Sequence, residues 1–248
     1  DMGRIVEPLQ KFGATFAKNK RTLPIHIKGS NILKPIIYDE LRGSAQCKSA
    51  VMIAALNAEG KTKLRCVPSR NHSELMFKNV LKIPIKIKKN KNFDIIELTG
   101  GNNFKSFNYN IPGDISSASF FIVLTLLSQN SNLLIKDINI NPTRTGIISI
   151  LNMMGAKIKF KNLKNYQGEK IADIFVTNSK KLKSIKLDPK FNSSAIDEFL
   201  LIFLVASVSR GISEFKNLQE LNKKESKRLD WGFKILNLMG VKTKKIGN

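Results

Sequence analysis

The sequence predicts an α+β fold built of repeated helix–strand units, with the helices at the centre and the sheets as an outer wall. Three observations lead there. Short motifs recur along the chain, the most apolar segments are helical in length, and the lysine-rich segments alternate with a period of two.

The recurrence comes first. "LQKFGA" (9–14), "LNMMGA" (151–156) and "LNLMGV" (236–241) share one form. Each reads as the last turn of an amphipathic helix, stopped by a glycine that tolerates the positive φ found just past a helix end. The longer apolar segments repeat as well. "GSAQCKSAVMIAAL" from Gly43 aligns without gaps on "GDISSASFFIVLTL" from Gly113, and "NSSAIDEFLLIFLVA" from Asn192 is a looser third copy. A turn follows each ("NAEGK", "SQNSN", "SRG"), then a strand ("TKLRCV", "LLIKDI", "ISEFKNL"). A basic loop then opens a second helix, in "PSRNHSELM", "NPTRTGIISIL" and "NKKESKRLDWGF". The unit is buried helix, strand, basic loop, amphipathic helix, paired strands.

Periodicity assigns the layers. The first helix of each unit is apolar all round and is expected to be enclosed. "KIPIKIKK" (82–89), "AKIKFK" (156–161) and "SIKL" (184–187) alternate, so their sheets have one dry face and one wet face carrying lysine. The stretch 99–110, "TGGNNFKSFNYN", is poor in aliphatics and divides the chain into a domain 1–109 and a domain 110–248. Helix N-termini carry partial positive charge. Two lobes aiming such ends into a common cleft would make an anion site.

Composition narrows the function classes. A length of 248 residues suffices for one large or two ordinary domains, and 42% apolar with 25% charged residues is ordinary globular usage. The net charge of +23 invites a nucleic-acid reading. Yet the 42 basic residues divide into 34 Lys and 8 Arg, spread along the whole chain. Base and phosphate readers lean on arginine forks, so no nucleic-acid partner is expected. Cys47 and Cys66 have neither metal-ligand spacing nor a disulfide framework, which points to a reducing, cytoplasmic setting. "FFIVLTLL" and "FLLIFLVASV" fall short of the roughly 20 residues a membrane span requires, and no secretory h-region precedes them.

Candidate chemistry collects at the helix starts and basic loops. The first helix begins with Ser44, Gln46, Lys48 and Ser49, more polar side chains than capping needs. Its partner loop holds Ser69, Arg70 and His72. In the second unit Asp114, Ser116 and Ser117 read as helix caps, and Thr143 and Arg144 as turn residues. His72 reads as a loop-packing histidine, and both cysteines as plain thiols. In the third unit Asp197 and Glu198 lie inside the apolar run "SSAIDEFLLIF". Lys224, Glu225 and Arg228 crowd one expected helical turn in "KKESKRL", which a solvated salt-bridged face would also produce. Carboxylates from two segments amid Lys and Arg suit proton transfer next to a bound phosphate.

Taken as an ordered set, "RGSAQCKSAVMIAALNAEGKT", "SRNHSE", "PGDISSASFF", "NPTRTG", "NMMGA", "IDEF" and "KESKRL" resemble the 5-enolpyruvylshikimate-3-phosphate synthase family, in its Ser-Ala-Gln branch. The resemblance implies an inside-out α/β prism of βαβαββ units. It implies transfer of the enolpyruvyl group of phosphoenolpyruvate to the 5-hydroxyl of shikimate 3-phosphate, with release of phosphate and no metal. On this basis Ser44, Ala45, Gln46, Ser69 and Arg70 would hold shikimate 3-phosphate, together with Asp197 and Lys224. Asp197 would orient and deprotonate the 5-hydroxyl, and Glu225 would handle the proton at the methylene carbon. Gln46 and Arg228 would bind phosphoenolpyruvate. Lys227 departs from the family's acidic residue, and Asn222 from its usual Arg. The motifs expected before Asp1 and after Asn248 are absent, so the resemblance implies a fragment that does not turn over substrate alone, belonging to an enzyme that is monomeric when full length. The nearest rival, UDP-N-acetylglucosamine enolpyruvyl transferase, would lack the "KES" motif and show a cysteine loop. Two more distant rivals are an RNA-end-binding protein on similar repeats, supported by the charge alone, and a non-catalytic remnant.

Overall fold

The computed structural model describes residues 2–17, 21–223 and 226–246. The chain divides into two compact units, Asp1–Tyr109 and Asn110–Asn248.

The first unit opens with α1 (Gly3–Phe12) and a short antiparallel pair, β1 (Thr15–Phe16) and β2 (Ile27–Lys28). It continues as β3 (Ile37–Glu40), α2 (Ala45–Leu56), β4 (Gly60–Cys66), α3 (His72–Asn79), β5 (Ile85–Lys89) and β6 (Asp94–Gly100). The sheet order is β3-β4-β6-β5. β3 and β4 are parallel, which requires a crossover, and α2 supplies it. The remaining pairs are antiparallel. Along β4, Thr62, Leu64 and Cys66 point into the core while Lys61, Lys63 and Arg65 face outward. Val51, Met52 and Ala55 of α2 pack against Leu64, Ile96 and Leu98 from the sheet.

The second unit repeats this order with α4 (Ile115–Leu127), β7 (Asn132–Asn139), α5 (Gly146–Met153), β8 (Lys157–Tyr166) and β9 (Glu169–Thr177). Its sheet runs β7-β9-β8 and is antiparallel. Gly113 forms a parallel bridge to Ile138, standing where β3 stands in the first unit. A third copy follows with α6 (Phe199–Ser207) and α7 (Arg228–Leu238), its strands reduced to parallel bridges Lys183–Arg210 and Lys186–Glu214. Ile122 and Leu126 of α4, Ile147 and Leu151 of α5, Phe199 and Ile202 of α6, and Ile174 and Val176 of β9 share one core. The three motif glycines, Gly13, Gly155 and Gly240, have φ of 117°, 94° and 78°, the left-handed stop that the recurring motif implied.

Three expectations change. α4 is not enclosed on all sides: Phe120, Phe121 and Leu124 lie along one stripe and are 65%, 59% and 62% exposed. An all-apolar sequence cannot say which face is covered. The third copy is not one long helix either. Two 3-10 turns, Pro189–Phe191 and Ser193–Ala195, precede α6, and the second is pressed against Gly146 at the start of α5. Finally, β5 and β8 are edge strands whose alternation is mostly solvent-facing; in β8 only Ile158 is buried.

Candidate functional site

In the first unit the polar side chains at the start of α2 each have a structural partner. Ser44 is the N-cap, its Oγ accepting the Cys47 amide at 3.3 Å, and Ala45 is the first helical residue. Gln46 is exposed, and its Oε1 accepts from Arg4 at 3.4 Å. Ser49 Oγ lies 2.6 Å from Ser73 Oγ on α3. Lys48 turns inward, donating to Glu74 Oε1 at 2.7 Å and to the Arg70 carbonyl at 2.6 Å. These two rungs hold the 68–71 loop, with Ser69 and Arg70, against the first turn of α2. Ser69 Oγ is buried with no hydrogen-bond partner among the described residues. Sequence reasoning missed Glu40. This fully buried carboxylate accepts the amides of Arg42 at 3.1 Å and Ser44 at 3.0 Å and so fixes the turn that delivers Ser44. Its signal was an acid at the end of a strand, immediately before "LRGSAQ". Burial pushes the Cys66 thiol up to about 12, so the thiol at the foot of this cluster stays neutral.

In the second unit Asp197 lies in the turn before α6 and Arg228 is the first residue of α7. They meet: Arg228 Nη1 donates to Asp197 Oδ1 at 2.9 Å. Asp114 is the cap expected of it, accepting the Ser116 and Ser117 amides, both at 3.3 Å. Ser116, expected as a cap, instead donates its hydroxyl to the buried Glu198. Arg144, expected as a turn residue, reaches Asp114 Oδ1 at 2.8 Å and Ser116 Oγ at 2.6 Å. Thr143 stays in the turn, donating to Asn141 Oδ1 at 2.8 Å. One network therefore joins the starts of α4 and α6 with the loop before α5. Local pattern could not show it, because Ser116 and Glu198 are 82 residues apart.

Lys224 and Glu225 lie outside the described residues. The single helical turn expected through them does not extend to Arg228, because Ser226 lies in a bend and α7 begins two residues later. Asn222, one of the two departures from the family pattern, has a defined role. Its Oδ1 accepts the amides of Leu229 at 3.0 Å and Asp230 at 3.2 Å, capping α7 where the side chain of Lys227 does not.

Comparison with known proteins identifies the family. The family model of EPSP synthase (3-phosphoshikimate 1-carboxyvinyltransferase) matches residues 2–248. The chain belongs to the EPSP synthase family. The 3-phosphoshikimate 1-carboxyvinyltransferase of Ruthia magnifica subsp. Calyptogena magnifica is 40% identical over 242 residues, covering 97% of this chain and 54% of that protein. The structure of EPSP synthase from Acinetobacter baumannii superposes with a TM-score of 0.81 at 37% identity, over 96% of this chain and 53% of that one. The enolpyruvyl transferase NikO from Streptomyces tendae shares the fold at 14% identity, with a TM-score of 0.64 over 85% of this chain and 50% of its own. The inside-out prism of α+β units is thus the fold of this EPSP synthase family member, and the chain spans about half the length of the relatives it matches.

Proposed function

We propose that this chain contributes to an enzyme that transfers the enolpyruvyl group of phosphoenolpyruvate to the 5-hydroxyl of shikimate 3-phosphate, releasing phosphate. The observation that carries this is the family match over residues 2–248, with the motif residues falling at helix starts. Ser44, Gln46, Ser69 and Arg70 form the phosphorylated-substrate grip. The positive end of α2, the unsatisfied Ser69 hydroxyl and the Arg70 guanidinium all suit an anion. Asp197 accepts the proton of the 5-hydroxyl as its oxygen bonds to the central carbon of phosphoenolpyruvate. Arg228 holds Asp197 in position and offers charge to the carboxylate or phosphate of that substrate. Lys224 contacts shikimate 3-phosphate, and Glu225 exchanges the proton at the methylene carbon. No cofactor has a place in this chemistry.

Calorimetry tests the proposal. The chain should take up shikimate 3-phosphate, and Arg70→Ala should weaken it by at least tenfold, because a lost charge-assisted hydrogen bond is worth about 1.5–3 kcal/mol. No heat with shikimate 3-phosphate, alongside binding of a UDP-sugar or of RNA that weakens with salt, would overturn it in favour of the rivals.

A further inference from the structure

Lys48 is a lysine where a lysine is expensive. Its side chain is 1% exposed, in a helix face otherwise made of Cys47, Val51, Met52 and Ala55. A buried ammonium persists only when paired and hydrogen-bonded. Glu74 supplies the counter-charge at 2.7 Å and is 4% exposed, with its second oxygen buried and lacking a hydrogen-bond partner among the described residues. The neutral thiol of Cys66 offers no charge. A pair of apolar side chains of similar volume would fill the same space at little or no cost in stability. Such a pair could not grip the Arg70 carbonyl, which Lys48 Nζ holds at 2.6 Å.

We propose that Lys48 is a positioning residue: from inside the core it clamps the 68–71 loop to the helix that carries Ser44 and Gln46, and Glu74 keeps the clamp charged and aimed. The proposal rests on the substrate grip described above. The clamp acts on the backbone carbonyl of Arg70 and not on its guanidinium. Ser49 and Ser73 add a second tie, from α2 to α3, three residues beyond Arg70.

The test pairs Lys48→Met/Glu74→Leu, which removes both charges, with Glu74→Gln, which leaves the donor in place. Amide hydrogen exchange at residues 68–71 and calorimetry with shikimate 3-phosphate are read on the whole chain. The double variant should melt no lower than wild type, yet exchange at least tenfold faster in that loop and bind at least tenfold more weakly. Glu74→Gln, whose amide oxygen can still accept from Lys48 but brings no counter-charge, should keep less loop protection than wild type and more than the double variant. Unchanged loop exchange in the double variant would overturn the clamp, as would binding within twofold of wild type. Should the double variant not fold, Lys48→Gln, which shortens the reach, is read by the same two measurements against the same outcomes. If wild type takes up no shikimate 3-phosphate, the substrate reading fails, and loop exchange alone still decides whether Lys48 holds the loop.

Discussion

Arg228→Met and Asp197→Asn, made singly and together, probe whether two motifs 31 positions apart act as one device. Their charged atoms lie 2.9 Å apart, with the side chains 24% and 23% exposed. At an effective dielectric of about 20, Coulomb attraction at that distance is roughly 6 kcal/mol before any costs. Partial desolvation and the ordering of two side chains offset most of it. Exposed pairs net about 0–1 kcal/mol, and breaking a buried one costs about 3–5. A pair three-quarters buried should therefore show a coupling of about 1–2 kcal/mol in a double-mutant cycle read by urea unfolding. Each substitution should therefore cost less stability when the other is already present than it does in wild type. Additive losses, with coupling below about 0.3 kcal/mol, would refute the claim that α7 delivers Arg228 to Asp197 as a working pair.

Other consequences are equally concrete. A Cβ on Gly100 would sit 1.9 Å from the Ala55 carbonyl oxygen and 2.3 Å from that of Ala58, both backbone atoms, so Gly100→Ala should destabilise by about 3 kcal/mol in urea unfolding. A loss under about 0.5 kcal/mol would contradict this packing of β6 on the end of α2. Ser44→Ala removes the α2 cap and should cost about 1 kcal/mol of stability, while Ser44→Gly should cost only a few tenths. If the hydroxyl also binds shikimate 3-phosphate, the two variants lose affinity alike, by several-fold in calorimetry. The Cys66 thiol, held neutral up to about 12, gives stability that is full below the unfolded value of ~8.5 and is lost progressively as pH rises from there to the folded one. The slope is about 1.4 kcal/mol per pH unit, so between pH 8 and pH 10 wild type should lose about 2 kcal/mol more than Cys66→Ala. Equal losses would show that the thiol is not held neutral.

The repeat was legible because each of its signals is local. Gly13, Gly155 and Gly240 end helices by backbone conformation, and the apolar α2 and α4 announce a core without reference to partners. The site was legible only as a set of positions. What each side chain touches depends on partners far along the chain: Lys48 finds Glu74 26 residues on, and Arg144 finds Ser116 28 residues back. Those contacts turned expected caps and turn residues into a network. Glu40 was missed for a different reason: its partners, the amides of Arg42 and Ser44, are local, but an acid that accepts backbone amides looks in the sequence like any charged residue at a strand end. The exposed stripe on α4 escaped notice because an all-apolar helix carries no sign of which side is wet. Helix periodicity likewise missed the 3-10 turns before α6, where contact with Gly146 sets the backbone path.

The most direct measurement is a backbone amide NMR titration of the chain with shikimate 3-phosphate. The grip described above predicts saturable shifts centred on residues 43–47 and 69–71. Shifts confined to the lysine faces of β5 and β8, or none at millimolar ligand, would contradict it.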